Sequence, residues 1–317
     1  MNEQMNSEML AKIAWLYYYE DLSQQEIGSI LGIPRIKIVR LLKVIREQKI
    51  VEIKIASRYV SLFETEKAFK AATGLKDVTI VPTGKNPASN VAYAASIRFA
   101  DLCKRYESIG LGASRIVMAA LNLLEPMKRM RVKRIVSLSG NAMPNYALNL
   151  SHPGLSGFML SRLLGVDYFN IWAPAIASTS ETAHLLRSDY VVESILKMAN
   201  TVDCAIIGLG DVKNSVLLNR GFIQKEDIAD MLAQGAVGDI FTHFFSIDGT
   251  RIPTGVEERS ITADVPMKCP VLAVAYGKIK VQPIVGAIRG RLIDGLVTDE
   301  NTAADVLKIL GGESSPN

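Results

Sequence analysis

Two groups of residues have types and spacings that can do chemistry. The first is cationic. Arg35, Lys37, Arg40, Lys43, Arg46, Lys49, Lys54 and Arg58 stand against only Glu47 and Glu52, a net +6 in 24 residues. The whole chain carries +4, so the remaining residues sum to −2. Such a patch attracts phosphates and releases their counterions, the salt-dependent component of DNA binding. The second is a glycine loop, Gly110-Leu111-Gly112-Ala113-Ser114, between a predicted strand and a predicted helix. Glycines let a backbone approach a phosphate and free N–H groups of a first helical turn bind it, although glycines after a strand also serve as plain turn residues.

The elements around the cations must hold them outward. Met9–Tyr19 has apolar residues at 9, 10, 13, 16 and 17, the stripe of a helix. Ser23 and Glu26 have the spacing of a capping box and predict a second helix through Ile27, Ile30 and Leu31, ended by Gly32. Pro34 opens a third over Arg35–Gln48, with Ile38, Leu41, Leu42 and Ile45 on one face. Gly28 is small where these helices would cross. The segment Gln24–Leu42 thus fits a helix-turn-helix, with Arg35, Ile36, Lys37, Val39 and Arg40 near the outside of the helix that would enter a major groove. Arg35 and Arg40 are the best base readers, because arginine bonds a guanine edge bidentately, and Lys43 and Arg46 fall to phosphate. Val51–Ile55 alternates apolar and charged and predicts a short strand, the wing of a small winged domain over residues 1–57.

Residues 58–317 read differently. After a connecting helix within Ser57–Lys76, strands are expected at Val78–Val81, Ser108–Leu111, Arg134–Ser139, Phe169–Ala173, Cys204–Leu209, Val271–Tyr276 and Leu292–Thr298. Helices are expected between and after them, as at Ala88–Arg105, Ser114–Leu124, Tyr190–Ala199, Val281–Arg289 and Glu300–Ile309. Repeated strand–helix units imply an α/β domain with a mostly parallel sheet. With 49% hydrophobic and 21% charged residues, 317 residues can fill two domains, and no apolar run approaches the roughly 18–20 residues of a membrane span. The polar Met1–Glu8 is not expected to act as a signal peptide, and Cys103, Cys204 and Cys269 are scattered, so a reduced cytoplasmic setting is expected. His152, His184 and His243 have no zinc spacing, and no cofactor is implied.

The order IPRIKIVRLL, IGLGAS, VSLSGN, CAIIGLGD, GAVGDI, YGKIK and RGRLIDGLVTDENTAADVL resembles the SorC-type sugar-binding transcriptional regulators over nearly the whole chain. The resemblance implies a larger domain like sugar-phosphate isomerases in fold, and a homo-oligomer, commonly a tetramer built as a dimer of dimers. Its partners would be double-stranded operator DNA and a small carbohydrate effector: a sugar, sugar phosphate or polyol. It places Ser139-Gly140-Asn141 in a loop lining the effector pocket, where Asn141 bonds hydroxyls or merely makes a turn. It also places Lys280, after the turn at Gly277, on an effector phosphate, against the plainer reading of a solvated lysine. Asp239, between glycine-rich backbone and an Ile-Phe pair, suits bidentate bonding to sugar hydroxyls, or else caps a helical turn. Arg115 departs from the small or hydroxyl residue the family has at about this place, and either meets an anion or points to solvent.

The expected function is therefore an effector-responsive regulator, preferably a repressor, of a carbohydrate or polyol catabolic operon. The alternative is a sugar-phosphate isomerase or deaminase with an appended helix-turn-helix. That chemistry needs a carboxylate base and a further acid or histidine, and no such partner stands in a neighbouring pocket motif beside Asp239. A constitutive architectural DNA-binding protein would leave the large domain without a use. Trp172 is expected by default to pack in the core, or else to edge the pocket with Pro174, and Thr298–Asn301 to end a strand and cap a helix.

Overall fold

The computed structural model describes residues 2–51, 60–141, 153–213, 221 and 223–312. The chain divides into two compact units, Met1–Val60 and Ser61–Asn317. The expected boundary at residues 57 and 58, the wing strand beyond Val51, Lys54, Arg58 and His152 lie outside the described residues.

In the first unit, α1 (Asn2–Tyr18), α2 (Gln24–Leu31) and α3 (Arg35–Glu47) pack around Ile13, Ile27, Ile38 and Ile45, all fully buried. The capping box forms: Ser23 Oγ accepts from the Glu26 N–H at 3.3 Å, and Glu26 Oε2 from the Ser23 N–H at 2.8 Å. Gly32 ends α2 with φ +66°, where a side chain would be strained. A Cβ on Gly28 would lie 2.6 Å from the Ile33 carbonyl oxygen, so only glycine lets the turn fold back on α2. Pro34 is the residue before α3, where its missing N–H costs no helical bond.

The second unit begins with α4 (Val60–Thr73) and continues as β1 (Asp77–Val81), α5 (Pro87–Arg105), β2 (Ser108–Leu111), α6 (Arg115–Leu121), β3 (Arg134–Ser137), α7 (Pro153–Leu164), β4 (Asp167–Phe169), α8 (Ser180–Ser188), α9 (Tyr190–Ala199) and β5 (Cys204–Gly208). Then follow α10 (Lys225–Ala233), β6 (Ala236–Ile240), β7 (His243–Ser246), β8 (Arg251–Ile252), α11 (Gly255–Glu258), β9 (Val271–Val274), α12 (Val281–Arg289), β10 (Gly295–Asp299) and α13 (Glu300–Leu310). Seven strands form one parallel sheet in the order β1-β10-β9-β5-β2-β3-β4. Alternate residues of each strand feed two apolar layers. Val136, Ala205, Ile207, Ala273 and Leu296 face α9, α12 and α13 through Ile195, Ile284 and Val306. Ile109, Ile135, Ile206, Val274 and Val297 face α5 and α6 through Phe99, Val117 and Ala120. Burial on both faces explains why these strands read as continuous apolar runs.

Three features differ from expectation. The β4 strand lies at Asp167–Phe169 rather than Phe169–Ala173, because it pairs with Arg134–Val136 directly after the Gly165 turn. Trp172, beyond its end, is 77% exposed instead of packed in the core. A separate antiparallel sheet, β6-β7-β8, includes Ala236–Ile240 of the motif Gly235–Ile240 and is not among the expected strands, so Asp239 sits on a strand and caps no helical turn.

Candidate functional site

On α3 one stripe, Ile38, Leu42 and Ile45, is buried, so the helical period turns Arg35, Ile36, Lys37, Val39, Arg40, Lys43 and Arg46 outward. Lys43 is 3.7 Å from Glu47, and Arg46 Nε donates to the Leu42 carbonyl at 3.3 Å. Arg35, Lys37 and Arg40 have no ion-pair partner among the described residues.

In the second unit the chain passes from β2 through β3 to β4 at one edge, then returns to β5 on the other side of β2 and continues to β9 and β10. The winding direction thus reverses between β2 and β5, where an open α/β sheet has a crevice at its carboxyl end. The loops there are Gly112–Ser114 after β2 and Leu209–Asp211 after β5, with Gly277–Lys280 following β9 next door.

Glycines make room for the side chains of this crevice. A Cβ on Gly208 would fall 2.1 Å from Ser114 Oγ, and one on Gly210 would fall 1.7 Å from Asp239 Oδ1. One on Gly112 would meet the Phe241 ring at 3.0 Å and the Ile207 backbone at 3.1 Å. Gly210 also donates its N–H to the Asp239 carbonyl at 2.8 Å, which ties β6 to the loop after β5. Ser114 is the residue before α6, and the first N–H groups of that short helix have no intrahelical acceptor.

Four charged groups converge here. Burial raises the Asp239 carboxyl above its ordinary range, opposed by the Thr242 N–H bond and by the charges of Lys280 and His243, while Asp211 raises it further. Burial pushes the Lys280 ammonium down; Asp239 and Asp211 counter this, and Arg115 adds to it. Lys280 therefore lies within electrostatic reach of Asp239, Asp211 and Arg115, and Asp239 within reach of Asp211. Behind them, His243 Nδ1 pairs with Glu257, which is buried and also holds Arg251 at 2.8 Å; His243 Nε2 lies 3.3 Å from Thr262 Oγ1.

The structure brings together Gly112, Ser114, Arg115, Asp239 and Lys280. Ala113, in the loop between them, is exposed. Gly110 is inside β2, and the space of its absent side chain belongs to Leu138, at 2.7 Å. Gly140 is pinned between the Ile261 carbonyl, which takes its N–H at 2.9 Å, and the carbonyls of Ala173 and Pro174. Asn141 spends its backbone N–H and carbonyl on Ala173 and Ala175, whereas its side-chain amide makes no hydrogen bond among the described residues. Gly277, at φ +90°, gives its N–H to Thr302 Oγ1 at 2.7 Å and to Asp299, the residue that ends β10 and precedes α13.

Sequence reasoning missed Asp211, His243 and Glu257. The expectation that no histidine or second acid stands near Asp239 is therefore corrected. The two-residue turn Phe241-Thr242 places His243 just after Asp239 on the returning strand, and Asp211 ends the motif CAIIGLGD. The rule that open α/β sheets put ligands beyond their strand ends would have picked out Asp211.

A sheet with its crevice lined by mixed charge, joined to a helix-turn-helix with outward cations, defines a ligand-sensing DNA regulator as a class. Comparison with known proteins agrees. Residues 57–308 match the family model Sugar-bind, described as "Putative sugar-binding domain". The chain is 30% identical over 313 residues to the transcriptional regulator LsrR of Enterobacter sp. (strain 638), covering 96% of this chain and 94% of that protein. It is 29% identical to LsrR of Escherichia coli (strain SMS-3-5 / SECEC), covering 95% of each. The full-length sorbitol operon regulator SorC from Klebsiella pneumoniae has a similar structure, with TM-score 0.73 and 26% identity, covering 95% of this chain and 99% of that one. A sugar-binding domain of a transcriptional repressor from Vibrio fischeri shares the fold, with TM-score 0.70 and 23% identity over 79% of this chain and 100% of that one.

The chain belongs to the SorC-type family of sugar-binding transcriptional regulators. It is a transcriptional regulator with a sugar-binding domain, as the names of its relatives have it. Among the described residues no helix is long and apolar enough to cross a membrane.

Proposed function

We propose that the protein represses a carbohydrate or polyol catabolic operon in the cytoplasm and is released from its operator by a phosphorylated sugar or polyol. The observation that carries this reading is the partly buried Lys280 within electrostatic reach of Asp239 and Asp211, with the exposed Arg115 as a second cation near it. A desolvated ammonium near an arginine suits an anionic group, and a half-buried carboxylate suits hydroxyls of the same ligand. Ala113 and Ser114 offer backbone N–H groups beside the anion, Gly112 spends its own on the Ile206 carbonyl at 2.9 Å and contributes only space, and Asn141 is a further hydroxyl partner. A regulator of a sorbitol operon among the structural relatives supports the polyol range.

DNA contact falls to Arg35, Ile36, Lys37 and Arg40 at the groove and to Lys43 and Arg46 at phosphates, in a winged helix-turn-helix over residues 1–57. Two such domains in a dimer of dimers would span paired half-sites. Effector binding favours one quaternary arrangement and so changes the spacing of those domains. A thermal-shift screen of pentoses, hexoses and polyols with their phosphates tests the reading. A phosphorylated compound should stabilise the protein and weaken its operator binding. Stabilisation only by unphosphorylated compounds would refute the anion site, and a compound that stabilises without affecting DNA binding would refute the coupling.

A further inference from the structure

The exposed face of α3 is not uniformly charged. Ile36 is 70% exposed and Val39 44%, three residues apart, and Arg40 and Lys43 continue the same stripe at four and seven residues from Ile36. The core is served by the opposite stripe of Ile38, Leu42 and Ile45. The two apolar side chains are surrounded by Arg35, Lys37, Arg40, Lys43 and Arg46, with Glu47 as the only acid of the helix. That surround selects a polyanion. On a duplex, the apolar feature displayed in the major groove is the 5-methyl group of thymine.

We propose that Ile36 and Val39 read thymine methyl groups of the operator and, with Arg40, determine its sequence. Ile36 is the second residue of α3, and in helix-turn-helix docking the N-terminal residues of the recognition helix meet the base edges. One helical turn advances about 5.4 Å and one base pair about 3.4 Å. Ile36 and Arg40 therefore address positions about one to two base pairs apart, and each half-site carries a thymine at that distance from the guanine taken by Arg40. The proposal rests on the reading of α3 as the helix that enters DNA.

The test uses the full chain and duplexes it selects from a random library. Each thymidine of the selected half-site is then replaced by deoxyuridine, which removes only the methyl group, and affinity is measured by fluorescence anisotropy. One or two positions should lose about four-fold, the worth of one buried methyl (~0.8 kcal/mol). Ile36→Ala or Val39→Ala should bind thymidine and deoxyuridine equally at its own position. Both sites are exposed and alanine favours helix, so the variants keep their fold. Tolerance of deoxyuridine everywhere, or an undiminished penalty in both variants, overturns the methyl readout. Arg40→Ala and Lys43→Ala separate the two levels. If they bind more weakly while deoxyuridine is tolerated, only the methyl readout fails; if they bind like the parent, α3 is not the reading helix and both proposals fall.

Discussion

Asp239 Oδ2 accepts the Thr242 N–H at 3.1 Å across a two-residue hairpin turn in which neither central residue is glycine. Phe241 has φ +51° and Thr242 φ +76°. Such turns favour Asn-Gly, and a β-branched residue there stores strain of order 1–3 kcal/mol. The surroundings hold it: the Thr242 hydroxyl bonds Ser260 Oγ, and the Phe241 ring lies against Gly112. The turn fixes the direction of the carboxylate at the crevice.

Gly210→Ala should remove the effector response. A methyl at 1.7 Å from Asp239 Oδ1 forces the carboxyl out of its place. Fold stability should drop by about 1–3 kcal/mol, as for other overpacked sites. The thermal shift caused by the effector should vanish, while anisotropy still detects operator binding.

Replacing both partly desolvated charges should stabilise the effector-free protein. Asp239 is raised and Lys280 lowered, so each charged form is disfavoured by folding at neutral pH. A carboxyl whose folded pKa is raised loses stability as pH climbs from its unfolded value through the folded one; an ammonium whose folded pKa is lowered loses it as pH falls through the corresponding interval. Both costs are present at neutral pH. The double variant Asp239→Asn, Lys280→Met should unfold at equal or higher temperature, by about 1 kcal/mol after allowance for partial exposure. It should bind no effector. A large loss of stability would show that the pair is a net stabilising ion pair.

Binding of a phosphorylated effector should weaken on the alkaline side at lower pH than an ordinary lysine would dictate, because burial lowers Lys280 and it sheds its charge early. Lys280→Arg keeps the charge and should move that fall upward. Calorimetric titration across pH measures it, and superimposable profiles would argue against Lys280 as the anion contact.

The first unit should be breakable alone. Gly28→Ala places a methyl 2.6 Å from the Ile33 carbonyl and should cost operator binding, with the effector-induced thermal shift retained. Ser23→Ala loses the capping box and should cost about 1 kcal/mol. Equal effects of the two substitutions would mean that the close approach at Gly28 is relieved elsewhere.

The sequence carried the helical unit and the parallel sheet well, because local signals set them. Ser23, Glu26, Gly32 and Pro34 mark helix ends through their own backbone chemistry, and the doubly buried strands are apolar without interruption. The site was less legible. Gly110 and Gly112 look alike in sequence, yet one accommodates Leu138 and the other Phe241. Only the fold decides which glycine faces the crevice. Asp211 and His243 reach Asp239 through strand order and a hairpin turn that lacks the usual Asn-Gly. The β6-β7-β8 sheet, with strands of two to five residues, offers too little alternation to declare itself.

The glycines at 112, 208 and 210 have a consequence for how this protein can diverge. They form a mould, and the crevice's chemical identity is cast by residues that reach into it from elsewhere: Ser114, Asp239 and Phe241. Ligand preference can change by exchanging those inserts while the mould stays fixed, since any side chain on a glycine would evict one of them. Relatives that sense different sugars should then differ at the inserts and agree at the glycines.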